Sequence, residues 1–190
     1  TDVFVINSCT VTEGAEVECR RIVRQVLRHS PQAFVAVTGC YAQTGFEGLR
    51  RIAGIDLIVG NQFKMQLPDM IPPLPQLKKQ PEPRIHHGRI DPENFSQEGV
   101  GTYDTTRANL KIQDGCDNRC SYCIVPFARG RSRSVLPDEV MREFDGLVRS
   151  NCPEVVLSGI HVGRYGVDLQ PKTDLTDLIK ILIAQWGRTR

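Results

Sequence analysis

The sequence has no secretory signal at its start and no apolar run long enough to span a membrane, so neither export nor a membrane span is expected. It lacks an excess of charge of one sign: the net charge is +2, and any case for a charged partner must rest on local clustering. It also lacks the composition of a disordered chain, with 40% apolar and 24% charged residues. Seven cysteines is an odd number, and over 190 residues they are too sparse for a disulfide scaffold. Reduced thiols in a cytosolic protein are expected, which makes the sequon Asn94-Phe95-Ser96 a chance match. No Met opens the chain, and it stops abruptly at Trp186-Gly187-Arg188-Thr189-Arg190. Both lead us to expect a piece of a longer protein, inactive by itself.

What the chain does have is one dense stretch, Asp114-Gly115-Cys116-Asp117-Asn118-Arg119-Cys120-Ser121-Tyr122-Cys123. Its three thiols follow the spacing C-x-x-x-C-x-x-C, too tight for three unrelated core cysteines. A structural zinc site built from paired C-x-x-C knuckles would need a fourth ligand. Soft thiolates grouped in threes suit an iron–sulfur cubane, and holding it at three corners leaves one iron open. Zinc at the three thiols of a non-enzymatic RNA-interaction module is the alternative from a different class.

Ahead of that stretch the pattern is strand, helix, strand, helix, strand. Asp2–Val11 reads as a buried strand carrying Val3-Phe4-Val5-Ile6, and Asn7-Ser8-Cys9-Thr10 follows at its end. Thr10 or Thr12 caps the next helix, whose early Glu13 and Glu16 favour its dipole. Cys19, Ile22, Val23, Val26 and Leu27 recur at three- and four-residue steps along it and make one apolar face. A second strand covers Ala33–Thr38 and leads to Gly39-Cys40. A short helix over Gly45–Ile52 and a third strand at Asp56–Val59 complete a parallel sheet with helices on its faces. Cys9 and Cys40 both follow the carboxyl end of a strand, the edge where open α/β sheets collect ligands. Spacing alone leaves open whether they are ligands or small buried hydrophobes. Cys19 belongs to packing.

From Pro68 onward prolines make a stiff connector, and Arg84–Thr106 reads as extended or loop-like. Ala108–Gln113 alternates and runs into the cysteine stretch, so the three thiols open a loop at a strand's carboxyl end, where (β/α) barrels build their active face. Between Arg107 and Ser134 stand six basic residues and two acidic ones. Arg129, Arg131 and Arg133, on alternate positions, are candidates for phosphate or carboxylate binding. Pro137 opens a helix whose inner face is Val140, Phe144, Leu147 and Val148, and Cys152 after it belongs to packing. Glu154–Gly159 reads as a buried strand ending in the glycine-rich run Ser158-Gly159-Ile160-His161-Val162-Gly163-Arg164-Tyr165-Gly166, where His161 is expected to be structural. A further helix carries Leu175, Leu178, Ile179, Leu182 and Ile183. This is the opening of a parallel (β/α) barrel, and about eighty residues cannot close one.

The motif C-x-x-x-C-x-φ-C, with Tyr122 as its aromatic, resembles the signature of radical S-adenosylmethionine (SAM) enzymes. That resemblance implies a 4Fe–4S cluster on Cys116, Cys120 and Cys123. SAM binds its open iron and is cleaved by one electron to a 5′-deoxyadenosyl radical. It implies Tyr122 against the adenine, and Ser158 and Gly159 near the amino group or ribose of SAM. Asn7-Ser8-Cys9-Thr10 and Thr38-Gly39-Cys40 ahead of such a domain resemble the methylthiotransferases, whose amino-terminal domain holds an auxiliary 4Fe–4S cluster on three cysteines. Cys9 and Cys40 match the second and third; the first is expected before Thr1. Ala128-Arg129-Gly130-Arg131-Ser132-Arg133-Ser134 and Gly159–Gly166 resemble the tRNA threonylcarbamoyladenosine (MtaB-like) branch.

The resemblance implies an α/β architecture: a Rossmann-like parallel domain at 1–71, a Pro-rich linker and extended segment at 72–106, and the first units of a radical SAM partial (β/α) barrel at 107–190. It implies tRNA and an electron donor protein as partners, a monomer, and a cytoplasmic setting. Isopentenyladenosine in tRNA or a ribosomal protein are the alternative substrates.

Overall fold

The computed structural model describes residues 2–90 and 107–186. These form two compact units: residues 2–90 together with Arg119–Gly130, and residues 107–118 together with 131–186.

The first unit is a four-stranded parallel sheet in the order β1-β2-β3-β4, with β1 at Val3–Ser8, β2 at Phe34–Gly39, β3 at Leu57–Val59 and β4 at Arg84–His86. Helix α1 (Glu13–His29) begins where Thr12 accepts the Ala15 amide on its hydroxyl, with Glu13 and Glu16 in the first turn. It lays Cys19, Val23, Val26 and Leu27 on one face of the sheet against Val35, Val37 and Ile58. The alternate residues of the strands, Phe34, Ala36, Leu57 and Val59, point the other way and meet Leu67, Phe63, Ile71 and Leu77. Strand β2 is therefore buried along its whole length, because both its faces and both its edges are covered.

Strand β1 is the correction. Expected to be buried, it lies at the sheet edge with Val5 half-exposed, since β2 is its only strand partner among the described residues. The single helix expected over Gly45–Ile52 is two short ones, α2 (Cys40–Thr44) and α3 (Phe46–Arg50), so Cys40 opens a helix. Within the proline-rich stretch, Arg84–His86 pairs in parallel with Leu57–Val59. Asp56 anchors it: fully buried, it takes the Val35 amide at 2.8 Å and the Lys79 ammonium at 2.7 Å. Burial is tolerable for this carboxylate because both oxygens are hydrogen-bonded and one is ion-paired. Helix α4 (Leu67–Met70) closes the second face. Residues 87–90 follow β4 without regular structure, and the rest of the segment expected to be extended, 91–106 with the sequon at Asn94, lies outside the described residues.

In the second unit β5 (Arg107–Lys111) leads to β6 (Gln113–Asp114), which pairs antiparallel with β7 (Arg133–Ser134). Between them in sequence, α5 (Val125–Arg129) belongs to the first unit. Helix α6 (Pro137–Arg149) then crosses to β8 (Glu154–Ser158), which runs parallel to β5 in the register Arg107↔Glu154 to Lys111↔Ser158. Helix α7 (Leu175–Trp186) follows. Ala108, Leu110, Val140, Phe144, Leu147, Cys152, Leu178 and Leu182 share one core. A strand–helix–strand–helix order with parallel strands is what a (β/α) barrel begins with. Strand β8, read as buried, is half-exposed because β5 is its only strand partner among the described residues. Among those residues no helix is long and apolar enough to cross a membrane.

Candidate metal and cofactor site

Both Cys9 and Cys40 sit at the carboxyl rim of the first sheet. The β1–β2 register ends at Ser8↔Gly39, so the two thiols follow paired residues on neighbouring parallel strands. Hydroxyls stitch this rim: Ser8 Oγ donates to the Thr38 carbonyl and takes the Ala42 amide, and Thr38 Oγ1 donates to the Val59 carbonyl. Gly39 makes the turn at φ +98°, where a Cβ would lie 2.3 Å from the Ser8 carbonyl oxygen. Only glycine fits that close approach.

The two thiols are then treated differently. Cys9 is exposed, with the Val11 amide 3.5 Å from its sulfur. Cys40 is 4% exposed, and its sulfur takes Arg129 Nε at 3.0 Å and Asn61 Nδ2 at 3.5 Å. Asn61, buried just after β3, also donates to the Ala128 carbonyl at 2.6 Å and so holds the end of α5 against α2. Sequence reading missed Asn61. The signal was there, in Gly60-Asn61 at a third strand end on the same rim as Gly39-Cys40.

The same unit carries Cys120 and Cys123, on the loop before α5. The Cys123 amide donates to the Cys120 carbonyl at 3.0 Å, which sets a tight turn around Tyr122. Cys120 is exposed, Cys123 half-buried, and the Tyr122 ring is 90% exposed. Cys116, half-buried, belongs to the second unit. None of the three thiols is in a disulfide. Free thiols are the kind of soft donor that an iron–sulfur group takes. Among the described residues no three His, Cys, Asp or Glu side chains converge on a point that would hold a single ion.

In the second unit the organiser is Gln113, fully buried. Its Nε2 donates to the carbonyls of Asp114 and Gly115 and to Ser132 Oγ, while its Oε1 accepts the His161 amide at 2.8 Å. One side chain thus ties the entry of the cysteine loop to the glycine-rich end of β8. Gly159 passes Gln113 so closely that an added Cβ would sit 3.0 Å from it. Asp117 caps the loop beyond Cys116, taking the Ser132 amide and Arg131 Nε at 3.3 Å each. His161 contributes its backbone to this network, in keeping with a structural residue. Nothing in a lone Gln between a strand and an Asp announced this role.

The three arginines grouped by sequence have three different settings. Arg129 is on the Cys40 sulfur, Arg131 is exposed beside Asp117, and Arg133 is buried in β7 opposite Asp114. Arg129 ends helix α5, Arg131 lies in the turn after it and only Arg133 is in β7, so the alternate positions never share one strand face. Cys19 and Cys152 are buried in apolar cores, and burial pushes the Cys19 thiol up to about 11.

Residues 1–60 match the uncharacterized protein family UPF0004, and residues 110–185 match the radical SAM superfamily. The chain is 40% identical over 175 residues to the threonylcarbamoyladenosine tRNA methylthiotransferase MtaB of Bacillus subtilis, covering 89% of this chain and 37% of that protein. It is 37% identical to the MtaB of Aquifex aeolicus, over 95% of this chain and 44% of that protein. It is 33% identical to the tRNA-2-methylthio-N(6)-dimethylallyladenosine synthase of Syntrophobacter fumaroxidans, over 94% of this chain and 40% of that protein. The chain thus spans less than half the length of these relatives. Its two matched segments and its thiol sets define a radical SAM protein, with SAM and 4Fe–4S clusters as the cofactors that go with that class. Within that class, the chain is similar over most of its length to the MtaB-like methylthiotransferases.

Proposed function

We propose that the protein to which this chain belongs is a tRNA methylthiotransferase that adds a methylthio group to carbon-2 of N6-threonylcarbamoyladenosine beside the anticodon. The observation that carries this reading is the pairing of two thiol sets, Cys9 and Cys40 within the UPF0004 segment and Cys116, Cys120 and Cys123 within the radical SAM segment. Identity of 40% to a protein named for that reaction supports it.

Cys116, Cys120 and Cys123 would hold the SAM-binding 4Fe–4S cluster, and Cys9 and Cys40 would supply two ligands of the auxiliary one. When bound, SAM and that cluster supply a one-electron reductive cleavage, the source of a radical able to activate an unreactive C–H bond. The chain's own residues bind and orient. The exposed ring of Tyr122 is free to lie against an adenine. Ser158 and Gly159, at the end of β8 beside Gln113, are available to the amino group or ribose of SAM. Arg131, with an exposed guanidinium, suits an RNA phosphate. Arg21, Arg24, Arg28 and Arg51 line a groove of about 750 Å³ along α1, a second surface suited to the phosphates of a tRNA.

We read the functional division as an amino-terminal domain at 1–71, a Pro-rich linker and extended segment at 72–106 and a radical SAM domain at 107–190, a reading supported by the matches over 1–60 and 110–185. An electron donor protein, a monomeric state and a cytoplasmic location complete the reading. Mass spectrometry of tRNA nucleosides from a strain lacking the full-length gene tests it. Loss of the methylthio group from threonylcarbamoyladenosine is expected, and unchanged methylthiolation there would sink it. Loss at dimethylallyladenosine instead would favour the second reading, supported by the 33% identity to a protein named for that product. Zinc without iron or sulfide after anaerobic reconstitution would favour the binding-module alternative.

A further inference from the structure

Cys19 shows what a packing cysteine looks like here. It sits among Val23, Val35 and Ile58, and burial is the main cause of the rise of its pKa. Cys40 is just as buried but meets two N–H donors, one of them on a guanidinium. Bringing an arginine head group onto a neutral buried thiol costs desolvation and returns a weak hydrogen bond. Against a thiolate the same contact is charge-assisted, and a cluster-ligating cysteine is a thiolate. Arg129 is also placed with care: α5 ends at it, Gly130 at φ +78° turns the chain away, and Asn61 fixes the preceding carbonyl of Ala128.

We propose that Arg129 is a positioning residue for the auxiliary cluster, donating through Nε to the Cys40 sulfur with Asn61 as second donor, and that it is not an RNA-phosphate contact. The inference rests on the reading that Cys40 is a cluster ligand. Arg129 neutralises part of the negative charge of the thiolate-bound cluster and sets its reduction potential, since charge and hydrogen bonds to cluster sulfur are the protein's main levers on that quantity. It also makes α5, which follows directly on Cys120 and Cys123, dependent on the state of the Cys40 sulfur.

The test uses the full-length protein, anaerobically reconstituted, with Cys116, Cys120 and Cys123 changed to Ala so that only the auxiliary set can hold iron. Iron content, the EPR spectrum of the reduced cluster and its potential are measured for Arg129 and for Arg129→Gln, Arg129→Lys and Asn61→Ala. Retention of about four irons per chain is the premise. The potential is expected to shift to more negative values in Arg129→Gln, to recover in part in Arg129→Lys and to shift less in Asn61→Ala. Filter binding of tRNA should keep the salt slope of the parent in Arg129→Gln. Loss of iron from the Gln variant with retention in the Lys variant would support the same role, because charge is what the two variants do not share. An unchanged potential and spectrum in Arg129→Gln would overturn the inference, and a reduced salt slope alongside would identify a phosphate contact instead. Equal loss of iron from the Gln and Lys variants would also overturn it, in favour of simple packing. If the parent binds no iron, the assignment of Cys9 and Cys40 fails first, and the inference with it.

Discussion

Cys40 and Cys120 lie in the same compact unit, yet one is 4% exposed with two N–H donors on its sulfur, and the other stands open to solvent. Around Cys40 the protein has supplied the surroundings in advance: a glycine turn at Gly39, hydroxyl stitching of the strand ends and a guanidinium. Around Cys120 it has supplied little beyond a tight turn and an exposed Tyr122 ring. A group that must stay put can be buried and compensated by fixed donors. One that must admit a small molecule at each turnover has to leave its approach open, and the incoming molecule completes the site. The contrast fits a retained auxiliary cluster and a cluster with an exchangeable partner.

The largest expected effect falls on the open side. In the full-length protein Cys120→Ala should abolish reductive cleavage of SAM, with release of 5′-deoxyadenosine by chromatography falling to background. Stability should hardly change, because the side chain is exposed and packs against nothing that would collapse. About half the iron should remain, held by the auxiliary set. Cleavage that survives the substitution would remove Cys120 from the ligand set and dissolve the comparison.

The built side should respond in the opposite sense. Gly39→Ala places a Cβ 2.3 Å from the Ser8 carbonyl at φ +98°, which should cost about 2–4 kcal/mol in the urea midpoint. The auxiliary iron should be lost along with it, since the turn aims Cys40. Gly146 is the control: within α6 an added Cβ meets nothing within 4 Å, and Gly146→Ala should stabilise by about 0.5–1 kcal/mol. A Gly39→Ala protein as stable as the parent would mean that the rim is not preorganised.

How far the sequence carried this picture follows from what is local. The apolar runs of β1, β2 and β3, the capped amphipathic α1 and Pro137 at the start of α6 depend on near neighbours, and the structure has them where periodicity put them. The placement of Cys9 and Cys40 on one rim was legible too, because parallel strands separated by one helix bring their carboxyl ends together. What stayed hidden depends on partners far along the chain. Arg84–His86 is a strand because Leu57–Val59 and the Asp56 carbonyl offer it hydrogen bonds, and three residues carry no period of their own. Helix α5 is five residues with Pro126 in its first turn, too short to show a face, and Asn61 and Cys40 hold its end from elsewhere. Half-burial of β1 and β8 escaped for the related reason that composition reports apolarity and not a strand's place in the sheet.

The smallest effect separates the units by pH. Burial pushes the Cys19 thiol from 9.0 up to about 11, with Glu16 adding to the rise and Arg20 opposing it. Burial, with Asp168 beside it, pushes the Tyr165 hydroxyl from 10.0 up to about 12. Both are acids whose folded pKa lies above the unfolded one. Their stabilising contributions are therefore complete below the unfolded value and fall as pH rises towards the folded value. The Cys19 contribution declines between about pH 9 and 11, and that of Tyr165 between about 10 and 12. Each loss should be on the order of 1 kcal/mol once solvent screening is allowed for. Trp186, the single tryptophan, packs edge-on against Phe144 in the second unit, so its fluorescence follows that unit alone. In urea titrations at stepped alkaline pH the far-ultraviolet circular dichroism should weaken before the tryptophan signal does. Cys19→Ala, although less stable at neutral pH, should lose the earlier of the two declines. An unchanged alkaline profile in that variant would show that the first unit's sensitivity lies with another group.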